Sequence, residues 1–135
     1  MKNFGLSKTE RIKKAKDFKK IYLDGKVIVS EDGRFKATFL TSAYQGKNTI
    51  KVAPVVSKKA GIAVWRNRIK RLIRESYRLQ KADLVELCKE KNITLDIVFS
   101  PIGFSRIKNK KIILSEIMPE ILDLLIKIKK IIKNE

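Results

Sequence analysis

The stretch from Ser57 to Leu79 reads SKKAGIAVWRNRIKRLIRESYRL, and at about 100° per residue it divides into two helical faces. Ile62, Trp65, Ile69, Leu72, Ile73 and Ser76 share one arc of roughly 100°. Arg66, Lys70, Arg74 and Arg78 climb the neighbouring face at i, i+4 spacing, with Asn67 and Arg71 beside them. Like charges at that spacing cost an isolated helix about 0.2–0.5 kcal/mol per pair, and only Glu75 interrupts them. A purely structural helix would intersperse acidic residues. This row, preceded by Lys58 and Lys59, is aimed at a polyanion.

Composition agrees. In 135 residues, enough for a single domain with one modest core, 32 Lys and Arg against 14 Asp and Glu leave a charge of +18. Such an excess points to nucleic acid or an anionic surface as partner. The opening MKNFGLSKTERIKKAK lacks the apolar run of a signal peptide, and no stretch of about eighteen apolar residues occurs, so no membrane span is expected. Cys88 stands alone, which rules out an internal disulfide and fits a reducing cytoplasm; it reads as a packed hydrophobe rather than a nucleophile. With no His there is no Ser–His or Cys–His pair and no usual zinc site. The acidic residues form no D-x-D or D-x-E cluster, and the glycines form no phosphate loop. The polypeptide carries no catalytic constellation of its own.

Working outward from the basic helix, residues 1–6 read as a mobile lead-in. Ser7-Lys8-Thr9-Glu10 spells a capping box, so a helix is expected from Ser7 to about Asp24, with Gly25 as its C′ residue. Ile12, Ala15, Phe18 and Tyr22 lie on one of its sides. Val27–Ser30, Arg34–Thr41 and Thr49–Ser57 read as three antiparallel strands, joined by a turn at Glu31-Asp32-Gly33 and a polar hairpin loop over Ser42–Asn48. In the second, Phe35, Ala37 and Phe39 alternate with Lys36, Thr38 and Leu40; Pro54 assigns the third to an edge or a bulge. Gln80–Asn92 is a charged helical segment with Leu84, Val85 and Leu87 as its apolar side, either continuing the basic helix or separate from it. Leu95–Phe99 is a fourth strand that closes a βαβ unit. A last helix lies within Lys110–Lys133, with Pro119 either at N1 or at a kink. Its Ile and Leu stripe with Lys opposite has the form of a membrane-surface anchor, but a domain this small needs the stripe to cover its sheet. Residues 127–135 are a candidate for an extended basic tail.

The string Lys58-Lys59, Gly61, Ala63-Val64-x-Arg66-Asn67-Arg68-x-Lys70-Arg71-x-x-Arg74-Glu75 resembles the signature of the bacterial ribonuclease P protein subunit. Glu10-Arg11-x-Lys13 and Asp17-Phe18-x-x-x-Tyr22-x-x-Gly25 are similar to that family as well. The resemblance covers roughly Ser7 to Phe99. It implies an α+β fold, an α-β-β-β-α-β-α two-layer sandwich with a left-handed βαβ crossover, of the ribosomal-protein domain-2-like kind. It implies one domain over 1–135 and a cytoplasmic RNA-binding subunit of ribonuclease P, which removes the 5′ leader of precursor tRNA. Catalysis would then reside in the RNA subunit with its Mg2+, the protein binding no metal itself and no DNA. Lys58, Lys59, Arg66, Asn67, Arg68, Lys70, Arg71 and Arg74 would contact the catalytic RNA. Phe18 and Tyr22 would line a cleft for the single-stranded leader, with Lys36 and Lys51 guiding it; Phe35 fits either the cleft floor or the core. Two departures stand out: Ala53-Pro54, where the family commonly has Gly and a non-proline residue, and Trp65, which lies on the apolar arc and is expected to be buried. A ribosomal or general RNA-chaperone protein is the competing reading.

Overall fold

The computed structural model describes residues 10–44, 50–103 and 111–134. Helix α1 (Ala15–Asp24) precedes strands β1 (Lys26–Val29), β2 (Phe35–Ala43) and β3 (Ile50–Pro54). A 3₁₀ turn (Lys58–Ala60) leads into α2 (Ala63–Gln80), followed by α3 (Ala82–Lys91), β4 (Ile93–Pro101) and α4 (Leu114–Lys133). The chain is thus the expected α+β protein. Its charged middle segment is a separate helix, α3, ended by Asn92 in the left-handed conformation (φ 58°).

The strands lie in the order β1-β2-β4-β3. β2 is antiparallel to both β1 and β4, whereas β3 is parallel to β4. The expectation of three consecutive antiparallel strands is therefore corrected. β3 does not pair with β2, so the connection between them is not a hairpin; its residues 45–49 lie outside the described residues. β4 takes the central place because it is apolar towards both faces: Leu95, Ile97 and Phe99 are buried on one and Val98 on the other. α2 and α3 connect the parallel pair, which makes the βαβ unit.

One sheet face carries the main core. Phe35, Ala37, Phe39, Leu95, Ile97 and Phe99 meet Trp65, Ile69, Ile73 and Tyr77 of α2, and Ile117, Ile121, Leu124, Ile128 and Ile132 of α4. Fully burying each large side chain contributes about 1.5–3 kcal/mol, so this layer dominates stability. α1 crosses the opposite face, where Ile12, Ile21, Ala53 and Val98 form a smaller cluster with Phe18, Leu40 and Val55 packed on it. α2 buries Trp65 as expected and, beyond the expected arc, Tyr77.

Both ends of the chain depart from the periodicity. α1 begins at Ala15, and the chain before it runs along the outer edge of β3. There the Ile12 N–H donates to Val52 O (3.1 Å) and Arg11 bridges Val52. An extended segment that covers an open strand edge outweighs an additional helical turn at this place. The Ser7 capping residue lies outside the described residues. Gly25 has φ −80°, so it is not a left-handed cap; a Cβ there would come within 2.8 Å of Phe39 O and closer still to Ile21 O. Its need is close approach. α4 runs unbroken from Leu114, with Pro119 inside it, exposed on its outer side together with Ser115, whose carbonyl loses its N–H partner. Glu116 accepts from the Ile113 N–H (3.3 Å) at its start. The expected extended tail is corrected: Lys127–Lys133 complete α4, because Ile128 and Ile132 are buried in the core and Lys127 donates to Val29 O (2.8 Å).

Candidate nucleic-acid interface

The interface is built on α2 and on the face that carries α1. Ser57 Oγ accepts from the Lys59 N–H (3.2 Å), which shapes the 3₁₀ turn that presents Lys58 and Lys59 to solvent. α2 then starts at Ala63, and burial of Trp65, Ile69, Ile73 and Tyr77 turns Asn67 and Arg71 outward.

The cationic row is not uniform. Arg66 Nε donates to Gly61 O (3.0 Å), which ties the row's first member to the turn before its own helix. Arg68 lies on the other flank and donates through Nε and Nη2 to Ile112 O (3.2 and 2.6 Å). Its guanidinium holds the chain just before α4 while the residue itself stays exposed. Arg78 donates to both oxygens of Glu75 (3.1 and 2.6 Å), so its charge is neutralised within the row. That pairing, against the opposing effect of burial, holds the Glu75 carboxyl below its ordinary range. Among the described residues, Asn67, Lys70 and Arg74 have no side-chain hydrogen bond or ion pair. Burial first, and then the positive charge of Arg11, depress the pKa of Arg74. Arg11 lies in the Glu10-Arg11-x-Lys13 string but is not among the residues that the resemblance assigns to RNA contact. Its nearness to α2 follows from the edge of β3, which no local pattern foretells.

The opposite face has the expected aromatic pair. Phe18 is half-buried on the α1 cluster, and Tyr22, one turn on, is 51% exposed. Residual burial raises the Tyr22 pKa, so its phenol stays a neutral ring at neutral pH. The register puts Val29, Lys36 and Ser100 in one row across β1, β2 and β4 on this face, with Val29 and Lys36 exposed. Phe35 is corrected: with 0% exposure it points into the main core, since neighbouring strand residues face opposite sides. Lys51 is on the same sheet face as Lys36 but in a different row. It lies beside Asp96, near Asp17 and Lys20, and at 100° per residue those two α1 residues occupy the flank away from Phe18 and Tyr22. Burial pushes the Asp96 carboxyl up, opposed by Lys51, so Lys51 serves partly to offset a strand carboxylate. Cys88 is fully buried and its thiol is pushed up to about 11, consistent with a packed hydrophobe. No described helix is long and apolar enough to cross a membrane.

A mixed four-stranded sheet backed by a cationic helix, with an aromatic-bearing helix on its other face, defines a small basic α+β protein with two separate polar surfaces. The chain belongs to the Ribonuclease P family, whose sequence profile matches residues 6–114. It is 41% identical over 85 residues to the Ribonuclease P protein component of Macrococcus caseolyticus, covering 60% of this chain and 67% of that one. To the Porphyromonas gingivalis protein of the same name it is 35% identical over 96 residues, 71% and 69% of the two chains. The matched stretch thus spans about two thirds of these relatives' length. The fold is similar to the RNase P protein from Thermotoga maritima (TM-score 0.68, 26% identity, 87% and 96% of the two chains). It is similar also to that of Staphylococcus aureus (TM-score 0.62, 28% identity, 93% and 99%).

Proposed function

We propose that this chain is the RNA-binding protein subunit of a ribonuclease P, acting in the cytoplasm on precursor tRNA. The observation that carries the reading is the presence of two surfaces: cations on α2 without protein partners among the described residues, and an exposed aromatic on α1 with an exposed lysine on the sheet face that α1 covers. Lys58, Lys59, Arg66, Asn67, Lys70, Arg71 and Arg74 are suited to the folded catalytic RNA, because phosphate contacts position a protein without regard to sequence. Tyr22 and Phe18 offer an unpaired leader a stacking surface that accepts any base, and Lys36 lies where it can meet the leader's phosphates. The polypeptide thereby lowers phosphate repulsion and orients the leader. Among the described residues no three metal-ligating side chains gather, and the reading assigns magnesium and the hydrolytic step to the RNA.

Reconstitution tests it. Precursor tRNA cleavage by a bacterial ribonuclease P RNA at low magnesium should be stimulated by this protein, at the mature 5′ end. Tyr22→Ala should weaken binding of leader-bearing precursor about tenfold, the range of one lost base stack, and leave mature tRNA unaffected. Tight RNA binding without stimulation would move the protein to the ribosomal or RNA-chaperone class.

A further inference from the structure

Sorting the arginines by partner separates two kinds. Arg66, Arg68 and Arg78 each donate to a carbonyl or carboxylate of the chain. Arg74 is partly withdrawn from water, yet among the described residues its guanidinium has neither hydrogen bond nor ion pair. Five N–H donors half out of solvent without an acceptor are unfavourable. A second cation makes the place worse. Arg11 lies near enough to repel Arg74, and it too has no partner among the described residues.

The scaffold enforces this encounter. Arg11 bridges Val52 on β3, the next residue donates its N–H to the same strand, and Glu10 pairs with Lys81 at the end of α2 (2.5 Å). α2 itself packs on β3, so the N-terminal segment and the middle of α2 are held at one sheet edge. Two arginines held at one sheet edge, neither guanidinium with an acceptor among the described residues, mark a place for an external anion. Paired planar forks match the oxygens of a phosphate better than lysines would. Lys70, one turn before Arg74 and without a partner among the described residues, extends the same positive line, as a polyanion requires.

We infer that Arg11 and Arg74 together bind one backbone phosphate of RNA at the edge of β3, between the α2 surface and the segment entering α1. The site rests on the proposed function only for which RNA supplies that phosphate: the catalytic RNA or the precursor tRNA.

The test uses the full chain with Arg11→Met, Arg74→Met and both together. Binding to a bacterial ribonuclease P RNA and to leader-bearing precursor tRNA is titrated from about 50 to about 300 mM salt. Each single change should weaken the RNA that supplies the phosphate about tenfold, and the double variant should lower the salt slope by about one, leaving the other RNA unaffected. The double variant should lose less than the product of the two, since both groups share one phosphate. In thermal melts at low salt, Arg11→Met should melt no lower than wild type, and its stabilisation by inorganic pyrophosphate should be smaller. A merely structural Arg11 would instead lower the melting temperature. Wild-type affinity and pyrophosphate response in Arg11→Met would overturn the site. A wild-type protein that binds neither RNA but keeps an Arg11-dependent pyrophosphate response would overturn the proposed function and leave the site standing.

Discussion

Arg68 aims two nitrogens at the Ile112 carbonyl, so within an Arg-Asn-Arg motif it serves as a clamp between α2 and the start of α4. Hydrogen bonds from a charged donor contribute about 1.5–3 kcal/mol. Arg68→Ala should therefore lower stability by about 2 kcal/mol in a denaturant titration while leaving the salt slope of RNA binding near that of wild type. Wild-type stability with a slope reduced by about one would show that the guanidinium leaves Ile112 for a phosphate. Helical spacing could say that Arg68 is a cation on the flank of α2. It could not say that a carbonyl more than forty residues onward waits there. Phe35 and Tyr22 illustrate the same limit. Both are aromatic and both fit a cleft by type, but alternation on β2 sends one into the core while the turn of α1 leaves the other in water.

At the scale of elements, the junction between the β1–β2 turn and α4 is polar within an otherwise apolar interface. Ser30 Oγ donates to Glu120 Oε1 (2.6 Å) and accepts from the Phe35 N–H (3.2 Å), while the Glu31 N–H donates to Asp123 (2.9 Å). Glu120 is 6% exposed, and burial, with Asp32 nearby, pushes its carboxyl above the ordinary range against the opposing bond from Ser30. A raised folded-state pKa means that the stability it contributes is present below the usual Glu value and is lost as pH rises through the folded value. Glu120→Gln keeps the shape and an acceptor for Ser30 without the charge. From about pH 4 to about pH 7 the melting temperature of the variant should gain steadily on wild type. Parallel profiles would show that Glu120 stays at its ordinary acidity. The sequence located α4 and its apolar stripe, but Glu120 sits beside that stripe and becomes buried only because the turn after β1 folds over it.

For the whole molecule the excess charge is the governing quantity. With +18 on 135 residues, self-repulsion opposes the compact state. Raising ionic strength from about 0.01 to about 0.3 M shrinks the Debye length from about 30 to under 10 Å, so the melting temperature should rise by several degrees. A fall would mean that ion pairs such as Glu10–Lys81 and Asp123–Lys127 outweigh the repulsion. The amino-acid sequence by itself determined the charge, the basic amphipathic helix, the burial of Trp65, the edge position of Pro54 and the family signature. Each of these is a property of neighbours along the chain or of its composition. The tertiary structure decided that β4 separates β2 from β3, that Lys51 lies beside Asp96, that Arg68 faces Ile112 and that Arg11 lies along the edge of β3. Those are encounters between residues far apart in sequence, and their partners are chosen by which apolar faces the sheet must cover, a competition that no single stretch contains.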